Sequence, residues 1–128
     1  MTMTTYSSSL KAYRRADLDS APKTEILDRL FIRLETDLRE GQAAIAAADV
    51  LARARALDHA TRIITELIAA LDFRAAPELC TNLEALYRYC MSCITRASLD
   101  RSPTPLDKAL GITTTLRAAF AEAVTAAR

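Results

Sequence analysis

This sequence has little in it that would interrupt a helix. Two glycines and four prolines are spread over 128 residues, and Ala, Leu, Arg and Glu, which dominate the rest, are strong helix formers. Net charge is scarce as well. Seventeen Lys and Arg against 16 Asp and Glu leave a formal +1, which provides no overall attraction to nucleic acid or to an anionic membrane. Long apolar runs are missing: the alanine-rich stretch around 42–48 falls well short of the roughly 20 residues a membrane span requires. The opening MTMTTYSSSLKAYRR is hydroxyl-rich where a secretion signal carries an apolar segment. The expectation is a cytoplasmic chain of one domain, long enough to bury a single core.

Catalytic chemistry is equally sparse. The sole histidine, His59, sits between Asp58 and Arg62 and reads as part of a solvated helix face; the residue three before it is Ala56, so no Glu-x-x-His pair exists for a di-metal bundle. Gly41 and Gly111 stand alone, which excludes a glycine-rich phosphate loop. Cys80, Cys90 and Cys93 include a C-x-x-C string, but it lies in mid-helix with no second pair to complete a zinc site. Reduced thiols are expected. Arg53, Arg55, Arg62 and Arg88 alternate with acids as surface residues do, rather than converging on a pocket. Neither cofactor nor metal is implied, and the chain reads as an interaction protein rather than an enzyme.

What the sequence does contain is helical periodicity. Ile63, Ile64, Leu67, Ile68 and Leu71 form one stripe, and Leu79, Leu83, Leu86, Tyr87, Cys90, Met91 and Ile94 form a second with the same three-and-four rhythm. Pro77 suits the first turn of the second helix, and Glu84 and Arg88 lie outside its stripe as an i, i+4 pair. Upstream, a first helix opens at Asp19-Ser20-Ala21-Pro22 and runs to about Ala47, with Ile26, Leu27, Leu30, Phe31, Leu34, Leu38 and Ile45 inward; Gly41 marks a kink or an early end. Asp49 caps the second helix, which runs to about Leu71. The third spans about Pro77 to Ala97. After the break at SLDRSPTP, Thr104 caps a fourth helix with Pro105 first inside, burying Leu106, Leu110, Leu116, Phe120 and Val124.

Four helices with short connections predict an all-α, antiparallel up-and-down four-helix bundle over residues 19–128, preceded by an N-terminal arm or short extra helix over 1–18. Its Thr- and Ser-rich start suits a mobile, free tail, while Leu10, Tyr13 and Leu18 give it enough apolar surface to dock, and the two readings stand side by side.

Two segments then bring a family into view. Ala60 to Asp72, ATRIITELIAALD, and Asn82 to Ile94, NLEALYRYCMSCI, resemble in order and spacing the corresponding helices of the flagellar secretion chaperones that bind flagellin. Ala12-Tyr13 resembles that family's Ala-Tyr pair, and Ser20 to Leu38 is similar to its Ser-Pro opening and first helix. Leu30-Phe31-Ile32-Arg33 departs from the family's Leu-Tyr-Asp-Gly, Ala75-Ala76 replaces its Gly-Gly, and Phe120 stands where a Trp is common. The resemblance implies a cofactor-free helical chaperone whose partners are the C-terminal segment of flagellin and a flagellar export gate protein, with a homodimer conceivable in the free state. It carries Tyr13, Tyr87 and Tyr89 over to client contact, and Leu18, Ile64, Leu67 and Leu71 are further candidates for apolar contact with the client. By periodicity, Ile64, Leu67, Leu71 and Tyr87 fall on core stripes, and Tyr89 lies off them. A helical adaptor for a different amphipathic helical client is the alternative.

Overall fold

The computed structural model describes the backbone of residues 21–127 and the side chains of 25–123 and 125. The arm over 1–18, with Tyr13 and Leu18, lies outside these residues, as do the Asp19 and Ser20 caps and the Val124 side chain. Four helices make up the described chain: α1 (Ala21–Ala46), α2 (Val50–Ala69), α3 (Pro77–Asp100) and α4 (Thr104–Ala127). Helix α1 packs on α2 and α4, and α3 packs on α4 and α2, while the backbones of diagonal pairs do not approach. This is the cyclic neighbour order of an up-and-down bundle.

Side-chain pairs fix the antiparallel sense. Gln42, late in α1, donates to the Pro103 carbonyl at 3.3 Å and to Asp107 Oδ1 at 2.6 Å at the start of α4. At the opposite end Arg117 of α4 meets Asp28 at 3.5 Å and Glu35 at 3.4 Å on α1. Between them the core takes Phe31, Leu34 and Leu38 from α1, Leu57, Ile64 and Leu67 from α2, Leu79, Leu83, Tyr87 and Ile94 from α3, and Leu106, Leu116 and Phe120 from α4. Leu110 packs only partly buried against them. Thr113 is buried too, and its hydroxyl donates to the Ala109 carbonyl at 2.8 Å, which satisfies the polar group within the helix's own turn.

Several boundaries follow from local chemistry. Asp49 is the N-cap of α2, its carboxylate accepting from Ala52 N–H at 3.0 Å. Just before it Ala48 adopts a left-handed φ of 56°, and the Asp49 N–H closes back on the Ala44 carbonyl at 2.9 Å, ending α1. Asp72 organises the α2–α3 connection: its side chain accepts from Arg74 N–H, and its carbonyl accepts from Ala75 N–H and from the Cys80 thiol. Helix α3 runs three residues beyond the expected Ala97, because Arg101 takes a left-handed φ of 50° and directs its N–H to the Ala97 carbonyl only after Asp100. Helix α4 begins at Thr104, whose N–H is taken by the Ser102 hydroxyl; Thr104 is therefore inside the helix rather than its cap.

Ile26 departs from its expected inward position and is 56% exposed. It lies five residues before Phe31, about 140° round the helix from it, so it cannot share that buried line. Gly41 also has a packing role that its sequence neighbours do not show. Helix α1 passes through it without ending, and a Cβ there would lie 2.6 Å from Leu57 Cδ2 and 3.5 Å from Leu106 Cδ1. The glycine lets α2 and α4 close on α1. At Gly111 a Cβ would meet nothing within 4 Å. Gly111→Ala should therefore raise stability by about 1 kcal/mol through helix propensity. Gly41→Ala should lose that gain by displacing the packed Leu57. Urea unfolding of the two variants side by side checks the difference in sign.

Candidate functional site

The residues assigned to client contact do not share one surface. Ile64, Leu67 and Tyr87 are 0%, 1% and 3% exposed, inside the core, and Leu71 is partly buried against it. The first three are closed off from solvent in the packed bundle. Tyr89 differs: two residues after Tyr87 it is turned about 200° round α3, and it is 44% exposed. It lines a groove of about 430 Å³ between α3 and α4, with Ser92, Arg96 and Asp100 on one wall and Pro105 and Lys108 on the other. Cys93 forms part of the floor.

Other large apolar side chains also face outward, among them Val50 at 62%, Leu51 at 60%, Phe73 at 43% and Leu99 at 77%. Val50 and Leu51 open α2, whose first buried residue is Ala56. That turn flanks a second groove, about 600 Å³, between α1 and α2, lined by Ala43, Ala44, Ala47, Ala52 and Ala56. The small side chains leave room for this concavity, and Glu40, Asp49 and Arg55 complete its lining.

At the inner end of the alanine groove lies a polar cluster that periodicity does not reveal. Asp37 is fully buried, its Oδ2 2.5 Å from His59 Nδ1 across the α1–α2 seam and its Oδ1 3.2 Å from Arg33 Nε. The Arg33 approach lacks hydrogen-bond geometry, so Oδ1 accepts no hydrogen bond. His59 is thus an interhelical partner rather than part of a freely solvated face. The one signal in the sequence is Asp37 beside Leu38 and three residues after Leu34, a carboxylate set within an apolar stripe. Glu35, also buried, is held by Arg39 and Arg117, each at 3.4 Å. The Asp37–His59 and Glu35–Arg117 pairs join α1 to α2 and to α4, while Arg33 and Arg39 meet the same carboxylates from within α1. Among the described residues no group of acidic, His and Cys side chains could hold a metal, and no helix is long and apolar enough to cross a membrane.

The C-x-x-C string is also part of the packing. Cys80, Cys90 and Cys93 are buried thiols that form no disulfide. Burial, reinforced by the neighbouring Cys93, pushes the Cys90 thiol from 9.0 up to about 12. Because reactivity needs the thiolate, native Cys90 should resist iodoacetamide at about pH 8.5 and react once urea unfolds the chain; mass spectrometry of the labelled peptides checks this. The linkage has a definite sign. Above 9.0 the unfolded chain releases a proton that the folded chain keeps up to about 12, so stability falls with rising pH across that window, by up to about 1.4 kcal/mol per pH unit.

Comparison with known proteins bears on the whole bundle. A family model described as flagellar protein FliS matches residues 6–127. The chain is similar to a protein named flagellar secretion chaperone FliS from Salmonella typhimurium, 27% identical over 118 residues that cover 88% of this chain and 87% of that one. It is likewise similar to the flagellar secretion chaperone FliS of Vibrio cholerae, 27% identical over 116 residues covering 88% and 85%.

Proposed function

The chain belongs to the flagellar protein FliS family, and from that premise we propose that it is a cytoplasmic export chaperone which binds the C-terminal segment of flagellin, keeps it from polymerising early, and brings it to the flagellar type III export apparatus. The observation that carries this reading is the family match over nearly the entire chain, all four helices included. The surface is consistent with it. A disordered, amphipathic segment that folds on a partner gives up about 2–5 kcal/mol to ordering, and it recovers this by burying apolar area in grooves and on exposed apolar side chains. The bundle offers such area at Tyr89, Val50, Leu51 and Leu99 while its core stays closed.

Calorimetry with a flagellin C-terminal segment tests the proposal. Binding at micromolar concentration or below is expected; no heat at tens of micromolar from a folded protein would overturn it. The same titration examines the arm. Deleting residues 1–16 should leave the bundle folded and change client affinity if Tyr13 and its neighbours cover the groove when no client is bound, and an unchanged affinity removes that role.

A further inference from the structure

The α3–α4 groove has an electrostatic character of its own. Arg96 rises from α3 and Lys108 from α4, so two cations stand on opposite walls of one concavity of about 430 Å³. Neither is in an ion pair among the described residues, although Asp100 lies on the same lining. Among the described residues Arg33, Arg39, Arg88 and Arg117 each meet a carboxylate, and Arg29, Arg53, Arg55, Arg62, Arg74 and Arg101 do not; what sets Arg96 and Lys108 apart is that they face each other across one groove. At the far end of the groove Tyr89 presents a half-exposed ring, separated from Arg96 by seven residues, about 10 Å along the helix. An aromatic platform and a pair of facing cations at that spacing complement a segment with an apolar anchor followed by a carboxylate about two helical turns away.

The geometry points to the α3–α4 groove as a docking site for an acidic amphipathic segment of a partner protein, its apolar side chain on Tyr89 and its carboxylate between Arg96 and Lys108. The chain's own first twenty residues are a poor complement. They carry Lys11, Arg14 and Arg15 against Asp17 and Asp19, a net positive charge facing a net positive groove. The assignment rests on the chaperone reading in that it names the chemistry a client presents at this surface, and its test is built to fail separately.

The probes are a synthetic amphipathic helical peptide with leucines on one face flanked by glutamates, and a twin with lysine at every glutamate. Titrated into the full chain, the glutamate peptide should bind at least tenfold more tightly than the lysine twin and shift amide resonances between 89 and 108. The double variant Arg96→Glu, Lys108→Glu should reverse that preference. Both positions are exposed, so circular dichroism should show the fold intact; Arg96→Ala, Lys108→Ala, which should abolish the preference without reversing it, guards against an effect of the new charges. Equal binding of the two peptides, no binding of either at millimolar concentration, or a preference that survives charge reversal would overturn the assignment. So would self-association of the wild type that the double variant abolishes, or glutamate-peptide binding seen only after residues 1–20 are removed, since these give the groove to a second copy or to the chain's own arm. If the glutamate peptide binds and the flagellin segment does not, the chaperone reading fails and the acidic docking site stands.

Discussion

Phe31→Ala should lower the unfolding free energy by about 3–5 kcal/mol, a large part of the roughly 5–15 kcal/mol that holds a domain of this size. Phe31 is 1% exposed and lies against Phe120, ring centroids 5.3 Å apart and planes inclined by 38°. That pair joins the N-terminal half of α1 to the C-terminal half of α4. Truncation removes the transfer energy of the ring, leaves a cavity between two helices whose neighbours Leu34 and Leu116 are already packed, and forfeits the aromatic contact itself. Ile26→Ala, five residues earlier on the same helix, provides the contrast. With Ile26 56% exposed, its loss should change stability by only about 0.5 kcal/mol. Urea denaturation of both variants measures the difference. Equal effects would mean that α1 is rotated relative to its partners.

Removing His59 should be the next most costly change outside the apolar core. His59→Ala strips Asp37 Oδ2 of its nearest donor while the carboxylate stays fully buried. Arg33, with its side chain 53% exposed, is then the remaining partner. A buried acceptor without its hydrogen bond costs about 1–3 kcal/mol, and more when it is charged. The His59 side chain is itself 41% exposed, so water enters the space it leaves and holds the loss toward the lower part of that range. The double variant Asp37→Leu, His59→Ala should be more stable than the sum of the single changes implies, because it removes the stranded charge together with its partner. A double-mutant cycle by chemical denaturation reads the coupling directly. Strict additivity would show that the two side chains do not interact in solution.

The fold was largely written in spacing. The stripe through Leu79, Leu83, Tyr87, Cys90 and Ile94 is buried as its period requires, Asp49 caps α2 through its own carboxylate, and Glu84 pairs with Arg88 at 3.3 Å one turn apart. Each of these is decided within a few residues of chain. What periodicity could not supply was contact between residues far apart in sequence. Asp37 and His59 are 22 positions apart, so nothing local shows that the carboxylate of one helix faces the imidazole of another. Gly41 looked like a weak point in α1 because intrinsic propensity counts only what glycine costs its own helix; the nearness of Leu57, which makes it necessary, belongs to tertiary packing. The separation of Tyr87 from Tyr89 needed only the geometry of a single helix. The charge pattern of the groove beside Tyr89 needed α3 and α4 side by side.

Gln42 gives one end of the bundle a mechanical property that neither of its turns has alone. Its amide nitrogen lies within reach of both the Pro103 carbonyl and Asp107 Oδ1, while its own helix ends four residues later at the Ala48 turn. The last turns of α1 are therefore clasped to the α3–α4 loop and the first turn of α4 through a single amide donor. Fraying of the end of α1 and opening of the α3–α4 connection break the same two hydrogen bonds, so hydrogen exchange at these two segments, joined across 61 positions of chain at Gln42 and Pro103, should rise and fall together.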